Sequence, residues 1–371
     1  MAPVKPHPPL RTVMPPLIFG TATFNNLYNR DPNELGTTPI VHRALALGVR
    51  AFDTSPYYGP SETLLGEALV TGPVPRSEYF IVTKAGRIAS DVFDYSPAAI
   101  RASVLRSCER LDTPYLDLVY CHDVEFVSPD EVLEAVRELR RLRDEGYVHY
   151  VGISGYPLGV LCELAERVRD ETDEPLDAVM SYAHYTLQNR RLASEGLPRL
   201  LKAGVQVVPN ASVLGMGLLR GNGVPVGARG DWHPAPQELR EAVARAAGFC
   251  AEYGERLEEV SVRWALEKWL MEGGVMGVNP EGRGLLGVSV MGVSAIKELE
   301  ETMAVWNSIL DGLANREGRW SGAETLSALK REATGLLAEE VRNILGEWVD
   351  YSWPSPPEGT IVQKSQDGEV R

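Results

Sequence analysis

Short apolar runs alternate along most of the chain with longer stretches whose apolar positions recur every three or four residues, and Gly, Pro, Ser and Asp mark the junctions. The runs predict strands at 17–20, 50–54, 78–84, 116–122, 148–154, 177–184, 205–212 and 287–293. The amphipathic stretches predict helices at 38–48, 62–70, 96–111, 128–145, 157–170, 195–203, 236–254 and 258–271, with a further helix from Ile296. Punctuation supports these boundaries: Gly48 and Gly146 stand where helices stop, Pro97 opens a first turn, and Ser128-Pro129-Asp130-Glu131 carries a capping pattern. Strands that each lead into a helix predict a parallel (β/α)8 TIM barrel with long βα loops. We expect one domain over 1–371, with a core at about 17–312, a proline-rich N-terminal extension 1–16 and a C-terminal extension 313–371. Two segments break the regularity. Leu214–Pro236 is expected to be a substrate lid, and the Gly-rich Glu272–Leu286 a disordered surface insertion.

Composition narrows the class. With 371 residues, 44% of them hydrophobic and 24% charged, the chain can bury one large core. A net charge of −14 argues against nucleic acid or an anionic membrane as partner. The four cysteines, Cys108, Cys121, Cys162 and Cys250, have neither zinc-site nor disulfide-framework spacing, so no metal is expected. No signal peptide and no membrane-spanning run is evident, and the expectation is a cytoplasmic protein, monomeric or a small homo-oligomer.

The chemistry gathers at strand ends. Asp53 closes the second strand and Tyr58 follows in its loop; Lys84 closes the third strand and His122 the fourth. Each has a plain structural alternative, a capped turn or a solvated terminus. Together they make a proton-transfer set. A free phenol ionises near pH 10, a nearby ammonium stabilises the phenolate, an Asp can hold that ammonium, and a His can hydrogen-bond a substrate oxygen. Gly20-Thr21, ending the first strand, is a place where backbone can approach a cofactor. The stretch Gly292-Val293-Ser294, between the last strand and the helix from Ile296, offers free N–H groups to a phosphate. In the long loop after strand seven, Trp232 and His233 are candidates for covering a sugar ring and reaching its hydroxyls, or else for pinning the loop.

Asp53, Tyr58, Lys84 and His122, in this order and at these strand ends, resemble the tetrad of the aldo-keto reductase superfamily from about Leu17 to about Trp306. Tyr120-Cys121-His122-Asp123, Val151-Gly152-Ile153-Ser154-Gly155, Asn210-Ala211-Ser212 and Asp231-Trp232-His233-Pro234-Ala235 resemble its L-galactose and fungal D-arabinose 1-dehydrogenase branch. The resemblance implies hydride transfer from C1 of an aldose to NAD, giving an aldonolactone, with Tyr58 as acid/base, its pKa lowered by Lys84 and Asp53. It places Ser154 and Ser181 at the nicotinamide carboxamide, with Gly155 replacing the family's Asn and Ala211 its stacking Tyr. It also puts Ser212, Leu214 and Met216 over the pyrophosphate and Gly292, Val293, Ser294, Glu298 and Glu301 at the adenosine end. Glu298 at the position of a family Arg implies NAD rather than NADP, although Lys297 is adjacent and NADP stays possible. Two alternatives remain: an NADPH-dependent aldehyde or ketone reductase on the same scaffold, and a cofactor-sensing regulatory subunit.

Overall fold

The computed structural model describes residues 7–25, 29, 31–225, 230–279, 285–314, 322–357 and 360–364, with backbone alone described for 313–314 and 322–327. Strands β1 (Leu17–Gly20), β2 (Ala51–Asp53), β3 (Phe80–Ala85), β4 (Leu116–His122), β5 (Val148–Gly155), β6 (Ala178–Tyr182), β7 (Asn210–Ala211) and β8 (Ser289–Gly292) pair in parallel, and β8 returns to β1. The barrel is closed. Around it run α1 (Thr37–Ala46), α2 (Ser61–Val70), α3 (Pro97–Arg110), α4 (Pro129–Asp144), α5 (Leu158–Thr172), α6 (Leu197–Lys202), α7 (Gln237–Glu252), α8 (Leu257–Glu272) and α9 (Ile296–Ala314). The caps follow the sequence: Ser96 accepts from Ala99 N–H with Pro97 at the first helical position, and Ser128 and Glu131 complete a capping box.

Alternation along the strands divides the core in two. Ala51, Phe80, Val82, Leu118, Tyr120 and Met180 fill the barrel, while Phe52, Ile81, Val119 and Val179 face the helices. The predicted strand 205–212 is shorter than expected, because Pro209 has no N–H to give the ladder; Val207 keeps only an isolated bridge to Ala178. Helix 195–203 is likewise preceded by a wide turn, Leu192–Gly196.

Three segments expected to be extensions or a surface insertion turn out to be packed. Residues 7–16 close the barrel floor: Leu10 and Met14 are fully buried, worth roughly 2 kcal/mol each, and Leu10 N–H donates to Gln206 Oε1 at 2.9 Å. The proline-rich Met1–Pro6 lies outside the described residues. In the Gly-rich stretch, Gly273–Met276 forms a tight turn and Val278 bridges Leu286 antiparallel, contrary to the expectation of surface disorder. A Cβ on Gly277 would meet Leu286 O at 2.0 Å and one on Gly287 would meet Trp269 O at 2.1 Å, so these glycines let backbone pack on backbone. Residues 280–284 lie outside the described set, as do 226–229 of the expected lid. Beyond 313, α10 (Gly322–Leu345) packs on α7, α8 and α9, and Ala338, Val341, Leu345 and Trp353 join the main core. The extension is part of the body, and its last turns come back over the rim at the strands' C-terminal ends.

Candidate active site

The alternation that fills the barrel also selects which side chains end on its rim. Ala51 is interior, so Asp53 is too; Phe80 and Val82 carry Lys84 inward; Leu118 and Tyr120 carry His122. By the same parity Ser154, Tyr182, Ala211, Gly292 and Gly20 complete the last interior layer, with Gly20 and Gly292 as register partners. Three neighbouring strands thus bring a carboxylate, an ammonium and an imidazole together.

Lys84 Nζ, 1% exposed, donates to Asp53 Oδ1 at 2.7 Å and to Thr54 O at 2.9 Å, and lies 4.7 Å from the centre of the Tyr58 ring. The Tyr58 and His122 rings meet edge-on at 5.8 Å. Burial lowers the Lys84 pKa, but the Asp53 and Tyr58 partners more than reverse this, so it stays an ammonium. Burial raises the Asp53 pKa against the pull of Lys84. Tyr58 departs from the expectation of a lowered pKa: burial pushes it up, Lys84 pulls it down, and the Asp53 charge adds to the rise. Asp53 therefore serves Tyr58 only by holding Lys84. His122 is pushed down to about 3, by burial first, with Lys84 and Arg87 acting in the same sense and Asp123 against. It is neutral across the physiological range.

Of the other sequence candidates, Thr21, Ser181 and His233 are placed differently from the expectation. Thr21 spends its hydroxyl on Asp53 O at 3.0 Å and on Ser61 Oγ at 2.7 Å, so it braces β2 and is not open to a cofactor. Ser181 has the parity of Val179, is fully buried, and lies 3.4 Å from His184 Nδ1; Tyr182 takes the inward position in its place. Ser154 is inward and buried, 3.4 Å from Cys121 O. Of the proposed sugar readers, His233 has both ring nitrogens engaged: Ala235 N–H reaches Nδ1 at 3.1 Å, and Nε2 faces Gly215 O at 2.9 Å. A ring used up by backbone pins the loop and has no atom left for a sugar. Trp232 is half-buried against that ring at 5.6 Å. Ser212 and Met216 adopt left-handed backbone, and with Leu214 they form a run of tight turns that presents half-buried side chains on the rim.

Three residues that the sequence expectation did not assign sit in the same layer. Ser55 Oγ lies 3.1 Å from His122 Nδ1 and accepts Tyr57 N–H at 3.1 Å. Asp123 Oδ2 lies 3.6 Å from His122 Nε2 and is ion-paired to Arg87, whose guanidinium covers the Tyr57 ring at 3.9 Å. A second cation after a glycine turn, Lys84-Ala85-Gly86-Arg87, was the signal for Arg87. The C-terminal tail adds Trp353, stacked on Tyr156 at 4.9 Å; beside it, Ser352, His184 and Arg191 line a cavity of about 330 Å³.

On the remaining rim, glycines at two adjacent strand ends lead to a helix N-terminus. A Cβ on Gly20 would press Val290 at 3.1 Å, and one on Gly292 would press Thr23 at 3.2 Å, so two adjacent strand ends are bare backbone. They lead to the N-terminus of α9, where Ser294 N–H donates to Glu298 Oε2 at 2.8 Å, while Thr23 Oγ1 holds Val293 O at 2.7 Å. Glu301 pairs with Arg256 at 3.1 Å and with Lys297 at 3.8 Å. Among the described residues no group of three or more His, Cys, Asp or Glu is arranged to hold a metal ion.

Comparison with known proteins identifies the family. A family model described as the aldo/keto reductase family matches residues 16–312. The chain is 42% identical over 345 residues to D-arabinose 1-dehydrogenase of Saccharomyces cerevisiae, covering 92% of this chain and 93% of the relative. It is 34% identical to L-galactose dehydrogenase of Arabidopsis thaliana, with 85% and 86% covered. Among solved structures, a glycerol dehydrogenase from Gluconobacter oxydans superposes with a TM-score of 0.62 at 22% identity, over 94% of this chain and 96% of the other, which bears on the fold alone.

Proposed function

Since the chain belongs to the aldo/keto reductase family, we propose that it is an aldose 1-dehydrogenase, oxidising a sugar of D-arabinose or L-galactose type at C1 to the aldonolactone with NAD. The observation that carries this reading is the buried Lys84 between Asp53 and Tyr58, beside a neutral His122. Tyr58 takes the proton of the C1 hydroxyl. Lys84, held by Asp53 and Thr54 O, offsets part of the penalty that burial places on the phenolate. His122 donates to the sugar oxygen and fixes C1 above the rim. The dinucleotide, when bound, supplies the hydride acceptor. Gly20, Gly292 and Ser154 would lie along it, Ser212, Leu214 and Met216 over its pyrophosphate, and Val293, Ser294, Glu298 and Glu301 at its adenosine end.

NAD is favoured over NADP by charge. Glu298 already holds Ser294 N–H, the donor that would otherwise greet a 2′-phosphate, and Lys297 is 84% exposed beside Glu301. Carboxylates at this point repel a dianionic phosphate and accept hydrogen bonds from ribose hydroxyls. No helix among the described residues is long and apolar enough to cross a membrane. We place the protein in the cytoplasm, a reading supported by four buried free cysteines, and take it to be a monomer or small homo-oligomer. Steady-state kinetics with D-arabinose and L-galactose, each against NAD⁺ and NADP⁺, test the proposal. Turnover of simple carbonyls with NADPH, and of neither sugar, would replace it with a reductase.

A further inference from the structure

We infer that Ser55 and Asp123 hold His122 as the tautomer with its proton on Nε2, which makes both of them positioning residues for the hydrogen bond that His122 gives the sugar oxygen. The argument is one of donors and acceptors. Ser55 Oγ already accepts Tyr57 N–H at 3.1 Å, and its single proton needs an acceptor. The ring nitrogen 3.1 Å away, His122 Nδ1, is that acceptor if it is unprotonated. Were Nδ1 protonated instead, it would donate to Ser55, the Ser55 proton would have no partner among the described residues, and a bare Nε2 would turn its lone pair on Asp123 Oδ2 at 3.6 Å. Both ends of the ring therefore favour the same tautomer.

The groups around the ring are compatible with that state. Lys84 and Arg87 lie close enough to disfavour a second proton, Tyr57 and Tyr58 flank the ring at 5.9 and 5.8 Å, and Tyr95 Oη donates to His122 O at 2.6 Å. Asp123 is itself held, by Arg87 and by a left-handed backbone at φ 57° that Asp tolerates better than most residues. At 3.6 Å its carboxylate is too far for a full hydrogen bond. It orders the Nε2–H without consuming it, and leaves the proton for a substrate oxygen. Arg87 thereby acts on the site through Asp123, two side chains from the reacting atoms.

The catalytic part of this inference rests on the sugar-oxidation reading; the tautomer itself does not. The experiment is ¹⁵N NMR of the full chain labelled at histidine, with His122→Asn identifying the signals of this ring. The expected spectrum shows a protonated Nε2 and a bare, hydrogen-bonded Nδ1 from about pH 5 to about pH 9. Ser55→Ala should remove the hydrogen-bond signature of Nδ1 and mix the tautomers. With it, kcat for the aldose should fall about tenfold, while the KM for dinucleotide moves less than about twofold. Asp123→Asn should mix the tautomers as well. A proton on Nδ1 in the unmodified protein overturns the inference. So does a Ser55→Ala spectrum that matches it, whether or not activity falls, because Ser55 would then act through packing alone. If no aldose is turned over at all, the sugar reading fails and the spectra still decide the tautomer.

Discussion

Strands β3 and β4 carry a polar cluster at each end, built from the same residue types and put to different ends. At the floor, Arg76 donates to Thr113 Oγ1 at 2.7 Å, Tyr79 O at 2.7 Å, Tyr115 O at 2.9 Å and Asp117 Oδ2 at 2.6 Å. Asp117 also accepts Ile81 N–H at 2.8 Å, and His149 stacks between Tyr115 at 4.4 Å and His7 at 3.8 Å. Apart from His7 Nε2, which is buried without a partner, this floor network is closed. At the rim, Asp53 Oδ2 is buried with no partner, Tyr58 is half-buried, and Asp123 stands in left-handed backbone. An unmade hydrogen bond on a buried group costs about 1–3 kcal/mol. Each end carries that cost at one atom, His7 Nε2 at the floor and Asp53 Oδ2 at the rim; the floor cluster ties strand starts together, and the rim cluster stands where reactants can complete the set. The end of the strands at which the groups stand, and not residue type, separates the structural cluster from the chemical one.

Tyr58→Phe tests the contrast hardest. It removes the exchangeable proton and keeps the ring, so kcat should fall by about a thousandfold or more while dinucleotide still binds, as fluorescence titration would show. Asp117→Ala is the matching cut at the floor. Leaving the half-buried Arg76 without its carboxylate should lower unfolding free energy by about 2 kcal/mol in a urea titration, with kcat of the folded protein unchanged. A large loss of kcat there would break the comparison. At the cofactor end of the rim, Glu298→Arg should raise kcat/KM for NADP⁺ relative to NAD⁺ by about tenfold; an unmodified protein that already prefers NADP⁺ would mean that Lys297 or another cation fills the pocket.

A further test is in pH. His122 has a folded pKa of about 3 against 6.5 when exposed, so the unfolded chain takes up a proton that the folded one does not. The stability this contributes is complete above pH 6.5 and is lost as pH falls toward 3. Urea titrations of His122→Asn beside the unmodified protein should show a shallower acid decline in the variant. Sugar oxidation, in turn, should climb toward alkaline pH as Tyr58 deprotonates, with no inflection near 6.5. An inflection there would mean that His122 titrates in the working enzyme.

Much of this was legible in the residues. The alternating runs place Asp53, Lys84 and His122 at strand ends, and period-two parity along each strand is enough to put them on one face. Parity also speaks against Ser181 and for Tyr182, a distinction that a count from Met180 inward would have found. His233 was not legible, because its two partners are backbone groups of Gly215 and Ala235 in a loop whose path the sequence does not specify. Thr21 was missed for the same reason: its partners, Asp53 O and Ser61, belong to a different βα unit.

What the sequence determined by itself is what depends on neighbours along the chain: the period of each element, the capping residues, the eight repeats of strand and helix, and the order in which the reactive groups arrive. Those are set by local sterics and by the need to bury one face of each element. Only the tertiary structure decided which polar atoms are left over. Whether Ser55 reaches His122, whether Arg87 pins Asp123, and whether burial outweighs Lys84 at Tyr58 depend on distances between units far apart in sequence. Burial costs and charge–charge energies depend on separation and solvent exposure, and neither quantity exists until the barrel closes.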